Sequence, residues 1–156
     1  MEYKKTAVIF IGIQACGKST FYNENFVDLV HINLDTLHTR NKENKLLEEC
    51  IKNEKSFVVD NTNPKREDRV KYIKTARDAD YKIIGYYFRS SVSESIERNS
   101  ERTGKAKVPN VAIISTYAKL EIPSLEEGFD ELYYVCTENK KFIVKKWKDD
   151  ERNDNK

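Results

Sequence analysis

The stretch that most limits what this chain can fold into is Gly12-Ile13-Gln14-Ala15-Cys16-Gly17-Lys18-Ser19, followed by Thr20. Its spacing, G-x-x-x-x-G-K-[ST], is that of a loop whose backbone N–H groups cradle phosphates between a strand and a helix. Both flanks are legible. Thr6-Ala7-Val8-Ile9-Phe10-Ile11 is apolar and largely β-branched, as a strand buried on both faces of a parallel sheet must be. Ser19 to Phe26 reads as a helix with Phe21 and Phe26 available to face that sheet. Gly12 and Gly17 permit the tight turn, and Gln14, Ala15, Cys16 and Thr20 complete the expected lining of the phosphates. Lys18 supplies a point charge to the β- and γ-phosphates, the Ser19 hydroxyl is a ligand for Mg²⁺, and the helix N-terminus adds partial positive charge. The pattern predicts that a nucleoside triphosphate binds here with Mg²⁺.

The chain of 156 residues supports one sizeable core, here expected as a single domain over 1–148. The tail 149–156 is almost wholly charged or polar and is expected to be disordered. A net charge of +2 is compatible with a nucleic-acid partner without arguing for one. Three cysteines (Cys16, Cys50 and Cys136) cannot all pair and form no C-x-x-C, which suits a reducing, cytoplasmic location. Cys50 and Cys136 lie in apolar surroundings and read as core. Cys16, beside a helix N-terminus, is either an oxidation-sensitive thiol or a small residue filling a loop position. No apolar run approaches the roughly 20 residues of a membrane span, and the N-terminus leads straight into the first strand, so neither a membrane partner nor a signal peptide is expected.

Strands then alternate with helices. Leu29–Asn33 reads as a second strand. Asn41–Asn53 reads as a helix with Leu46, Leu47, Cys50 and Ile51 on one stripe, and Ser56–Asp60 as a third strand. Pro64 suits the first turn of a helix running to about Asp80, with Val70, Ile73 and Ala76 facing inward. Its Lys65, Arg66, Arg69, Lys71, Lys74 and Arg77 read as a solvated face, with a nucleic-acid patch as the alternative. Lys82–Phe88 is a fourth strand, Ser93 a candidate cap for the next helix, and Thr103–Asn110 an irregular loop. Val111–Glu121 is another helix and Leu132–Cys136 a fifth strand, with Lys141–Trp147 able to pair beyond it as an antiparallel edge whose lysines guard it. The expected fold is therefore three-layer α/β/α, a P-loop NTPase with a mostly parallel five-stranded sheet, a helical lid and ligands at the carboxyl ends of the strands.

Four further residues carry chemistry. Asp60 follows the apolar run Phe57-Val58-Val59 and so stands at a strand's carboxyl end, where a phosphate loop needs a second carboxylate for Mg²⁺. Asp35 follows the second strand and lies on the same sheet edge. It can accept a proton from an attacking hydroxyl or cap a helix, and the residues alone do not choose. Arg98 and Arg102, one turn apart, can close over the triphosphate and stabilise charge on the transferring group, although solvated arginines have the same spacing. Tyr86, Tyr87 and Trp147 are aromatics that either stack on bases or sit in the core.

Taken together, these residues resemble the kinase domain of the polynucleotide 5′-kinases, of both the phage type and the animal polynucleotide kinase/phosphatase type. The resemblance covers about Thr6 to Val135. It rests on the phosphate loop, Asn33-x-Asp35, Asp60-Asn61-Thr62-Asn63-Pro64, Arg98-Asn99-Ser100-Glu101-Arg102 followed by Val108-Pro109, and the run from Tyr117 through Pro123 to Gly128-Phe129. It implies that Asp35 is the general base on a 5′-hydroxyl, that Arg102 belongs to a lid over the phosphates, and that Arg98 is a neighbouring motif arginine. Two departures stand out. Leu34 and His38 occupy positions where the phage pattern has arginines, the latter meeting the acceptor's phosphate, with Arg40 close by. The D-x-D-x-T signature of the partner phosphatase is absent, so the resemblance implies kinase activity only. The expected reaction is transfer of the γ-phosphate of ATP to a hydroxyl, with the 5′-OH of DNA or RNA as the leading acceptor. A small molecule such as a sugar, nucleoside or antibiotic is the alternative acceptor, and a nucleotide-dependent binding module without turnover is the reading from another class.

Overall fold

The computed structural model describes residues 5–148; the expected tail 149–156 lies outside them. Strands β1 (Thr6–Ile11), β2 (Val30–Ile32), β3 (Phe57–Val59), β4 (Lys82–Phe88), β5 (Glu131–Glu138) and β6 (Lys141–Lys146) form one sheet in the order β2-β3-β1-β4-β5-β6. The first five are parallel, and β6 pairs antiparallel with β5. The sheet thus has six strands rather than five. The sixth is added by a two-residue hairpin turn, Asn139-Lys140, with φ of 50° and 64°, the left-handed pair that matches strand twist. Lys141, Lys145 and Lys146 are exposed on that edge.

β1 lies between β3 and β4, so the connections leave it in opposite directions, and a crevice opens at its carboxyl end. Alternate residues of β1 supply two cores, as a period of two requires. Ala7, Ile9 and Ile11 pack with Phe57, Val59, Tyr87 and Tyr134 beneath α3 (Arg40–Lys52) and α4 (Arg66–Asp78). Val8 and Phe10 pack with Val58, Phe88 and Val135 beneath Phe21 and Tyr22 of α1 (Lys18–Asn25). Phe10 meets Phe21 and Phe88 edge-on, with centroids 5.8 and 5.1 Å apart. Rings in this arrangement add roughly 0.5–1.5 kcal/mol to their burial. Cys16 belongs to this second core, which favours the space-filling reading of its thiol.

The helices depart from expectation in instructive ways. On α4 the inward stripe is Arg69, Tyr72, Ile73 and Ala76, while Val70 is 51% exposed. Arg69 is wholly buried, not part of a solvated face. Its Nε donates to Glu127 Oε1 at 2.8 Å and its Nη1 to the carbonyls of Asn63 (3.0 Å) and Glu121 (3.1 Å). The lid is α5 (Val92–Ser100), a 3₁₀ turn at Gly104–Ala106 and α6 (Asn110–Lys119). Its cap is Ser91, whose hydroxyl accepts from Glu94 N, rather than Ser93. Tyr87 is a buried core residue, and the half-buried Trp147 packs edge-on against it with centroids 5.6 Å apart. Tyr86 stacks on Tyr133, and burial pushes its phenol up to about 12. Among the described residues, no helix is long and apolar enough to cross a membrane.

Candidate active site

β1 ends at Ile11, and the chain turns through the phosphate loop into α1. Gly17 caps that helix at φ 99°, a left-handed conformation that strongly favours glycine. The loop is anchored from three sides. Gly12 N donates to the Thr62 carbonyl (3.0 Å) behind β3, Ile13 N donates to Ser90 Oγ (3.2 Å) behind β4, and Gln14 Nε2 donates to Thr116 Oγ1 (2.9 Å) on α6. Lys18 is almost buried, and its Nζ donates to the carbonyls of Gly12 (3.0 Å) and Ile13 (2.8 Å).

Beyond the loop, Ser19 Oγ donates to Asp60 Oδ2 at 2.9 Å. Asp60 follows β3 and is only 2% exposed. Burial alone would raise its carboxyl, but the His31 hydrogen bond, the Lys18 charge and the Ser19 hydroxyl outweigh that and hold it below the usual carboxylate range. The result is a hydroxyl and an ionised carboxylate, side by side at the mouth of the loop.

Asp35 sits in α2 (Leu34–Leu37), a single helical turn. The cap of that turn is Asn33, whose Oδ1 accepts from Thr36 N at 3.1 Å, so capping is not the role of Asp35. Asn33 Nδ2 also donates to the Asp60 carbonyl (2.8 Å), and Asn61 Oδ1 accepts from Leu34 N (2.9 Å). The turn bearing Asp35 is thereby fastened to the chain that bears Asp60. Asn61 is held in turn by Glu43 Oε2 at 2.7 Å. Glu43 is fully buried and also accepts from Tyr72 Oη (2.8 Å), Arg40 Nη1 (2.9 Å) and Lys71 Nζ (3.2 Å). Burial would raise its carboxyl, and these hydrogen bonds lower it below its ordinary value. Burial and the Glu43 carboxylate together push the Tyr72 phenol upward.

A cleft of about 1400 Å³ gathers Gln14, Ala15, Gly17, Lys18, Ser19, Thr20, Asp35, Asp60 and Arg102 into one lining. Leu34, His38, Arg40 and Lys71 line the same cleft. Gly12, Cys16 and Arg98 lie outside that lining. Arg98 instead donates through Nη1 to the Ala15 carbonyl at 3.3 Å, bracing the loop from α5. Arg102 does not share a helical face with Arg98, because α5 ends at Ser100, and it donates to the Ala106 carbonyl (3.2 Å) within the lid loop. Asn99 binds Val108 in both directions, Nδ2 to its carbonyl (2.6 Å) and Oδ1 from its N–H (3.0 Å), closing that loop.

Sequence reasoning missed His31 and Glu43. His31 sat in a weak strand with no motif around it. Glu43 carried a usable signal, since it stands four and seven residues before Leu47 and Cys50 and so extends their apolar stripe.

The mostly parallel sheet, the loop between β1 and α1 and the cleft at its mouth define a P-loop kinase fold. A family described as an AAA domain matches residues 8–121, and the chain belongs to that family; it is a P-loop kinase domain. Over 137 residues it is 31% identical to the bifunctional polynucleotide phosphatase/kinase of Schizosaccharomyces pombe, an alignment covering 83% of this chain and 34% of that protein. It is 25% identical over 143 residues to the L-seryl-tRNA(Sec) kinase of Methanococcus maripaludis, covering 79% and 55% respectively. The chain thus spans about a third to about half the length of these curated relatives. The structure of a gluconokinase from Sinorhizobium meliloti 1021 superposes with a TM-score of 0.59 at 19% identity, covering 86% of this chain and 84% of that one. At that identity the likeness shows the fold alone.

Proposed function

We propose that this chain transfers the γ-phosphate of ATP to a hydroxyl, and that the 5′-OH of DNA or RNA is its acceptor. The observation that carries the reading is the fastening of Asp35 to the Asp60 segment, through Asn33 and Asn61, in the cleft that Lys18 and Ser19 line. The acceptor oxygen attacks the γ-phosphorus, the bond from that phosphorus to the β–γ bridging oxygen breaks, and ADP leaves. Asp35 takes the acceptor's proton, while Lys18 and Arg102 stabilise charge on the transferring group.

Mg²⁺ fits the residues present. A hydroxyl and an ionised carboxylate 2.9 Å apart are hard oxygen donors, and Mg²⁺ in phosphotransfer sites takes one or two protein oxygens and completes its shell with phosphate and water. Ser19 and Asp60 would hold it, and when bound it neutralises charge on the β- and γ-phosphates.

The nucleic-acid acceptor is supported by the polynucleotide and tRNA substrates in the names of the two relatives, and by Arg40 and Lys71, which line the cleft while paired with Glu43. A small hydroxyl compound is the second reading, favoured by Leu34 and His38 where the polynucleotide-kinase pattern carries arginines. Competition separates them. The protein is offered γ-labelled ATP with an equimolar mixture of a 5′-OH oligonucleotide, its 5′-phosphorylated form and a panel of sugars and nucleosides. The reading predicts label on the 5′-OH oligonucleotide alone. Label on a sugar or nucleoside with none on the oligonucleotide contradicts it.

A further inference from the structure

His31 lies on β2, outside every motif that defines the site. Its Nε2 is 2.7 Å from Asp60 Oδ2, the oxygen that also accepts from Ser19 Oγ. An ionised carboxylate only accepts, so the proton in that contact belongs to His31 Nε2. The imidazole is not free to turn. It stacks on Tyr22 with ring centroids 3.9 Å apart and an interplanar angle of 13°. Tyr22 is itself fixed, buried on α1 one turn beyond Ser19, with its hydroxyl donating to the Leu29 carbonyl at 2.6 Å. One ring thus joins the helix that carries Ser19, the strand β2 and the carboxylate behind β3.

A nearly buried carboxylate with donors on one oxygen has its rotamer set by those donors. Ser19 and His31 approach the same oxygen from different elements, so losing either leaves Asp60 held by one. We propose that His31 is a positioning residue for the Mg²⁺ carboxylate, fixing Asp60 in the orientation that receives the metal–nucleotide complex. The inference rests on the reading of Ser19 and Asp60 as Mg²⁺ donors. Outer partners of metal ligands in other proteins typically contribute about 10- to 100-fold in metal affinity.

The test measures dissociation of a fluorescent ADP analogue, with Mg²⁺ and with chelator, in wild type, His31→Phe and His31→Gln. Phe keeps the stack on Tyr22 and removes the N–H; Gln keeps an N–H donor. The expected result is a loss of about tenfold in the Mg²⁺-dependent part of the affinity in H31F, an unchanged affinity in chelator, and substantial recovery in H31Q. Wild-type Mg²⁺ dependence retained in full by H31F overturns the role of His31 alone. An equal loss with and without Mg²⁺ also overturns it, since that is general damage to the loop. No Mg²⁺ dependence in wild type overturns the metal reading and this inference together. A second measurement needs no variant of His31. Nitrogen NMR of the wild-type imidazoles, with His31 distinguished from His38 by His38→Gln, is expected to report the Nε2–H form of His31. A neutral His31 carrying its proton on Nδ1 overturns the proposal.

Discussion

At Asp60 and Glu43 burial and hydrogen bonding act in opposite directions, and in both the hydrogen bonds prevail. Each carboxyl therefore ionises more readily in the folded chain than in the unfolded one. The stability they contribute is complete above the unfolded carboxylate pKa of about 4 and declines as pH falls through their lower folded values. Urea unfolding followed from about pH 6 down to about pH 3 is expected to show a falling midpoint, with a shallower fall in Glu43→Gln. An equally steep fall in E43Q would show that Glu43 is not depressed. Lys18 and Asp35 answer to a different measurement. On the proposed reading Lys18→Ala removes the charge that meets the phosphates and is expected to weaken ATP binding and abolish transfer, read by nucleotide titration beside the transfer assay. Lys18, Ser19 and Asp60 were legible because each stands at a fixed offset from a strand end. Asp35 was legible as a position, but that it does not cap the turn follows only from Asn33 in the cap. His31 was not legible, because nothing in Val30-His31-Ile32 records that β2 lies beside β3.

Among the elements, the lid is built as a unit. Asn99 closes it onto Val108, Arg98 braces the Ala15 carbonyl, and Gln14 reaches Thr116 on α6. Asn99 is buried, so Asn99→Ala leaves both backbone groups of Val108 without their side-chain partner, a cost of about 1–3 kcal/mol. The expected result is a raised KM for ATP with a smaller change in kcat, because the lid loop carrying Arg102 loses its anchor. A kcat loss with KM unchanged would place Asn99 in the chemistry instead. The strands and the longer helices were readable, since apolar period and turn residues mark them, whereas the single turn α2 and the 3₁₀ turn at Gly104–Ala106 carry no such period. The errors fell where a charged residue occupies a core position. Both Glu43 on α3 and Arg69 on α4 fit an inward stripe, and composition hides that because such residues usually face water.

Across the whole molecule, Arg69 ties together segments far apart in sequence. Its guanidinium holds Glu127 and the carbonyls of Asn63 and Glu121, so the turn behind β3 and the run before β5 share one buried cation. Glu121 N donates to the Pro64 carbonyl (2.7 Å) beside it, and Gly128 at φ 116° lets the chain turn against Ile73. Arg69→Met leaves the buried Glu127 carboxylate without its counter-charge, with Ser124 N still donating to it, a loss of about 3–5 kcal/mol in urea unfolding. The double change Arg69→Met with Glu127→Leu is expected to recover much of it; no recovery would show that the carbonyl contacts, not the pair, carry the effect. This brace fastens the Asn63-Pro64 end of the segment that carries Asp60 to the run before β5, and that run lies outside the cleft lining, as scaffold behind it. The chemistry itself comes down to whether Asp35 draws a proton from a nucleic-acid hydroxyl. The direct measurement is single-turnover transfer of γ-phosphate from ATP to a 5′-OH oligonucleotide with Mg²⁺, comparing wild type with Asp35→Asn at matched ATP occupancy. Labelled oligonucleotide from wild type, with a loss of about 10²- to 10⁴-fold in D35N and ATP affinity unchanged, is the predicted result. An oligonucleotide left unlabelled by ATP-bound wild type, or labelled equally by D35N, would contradict the account.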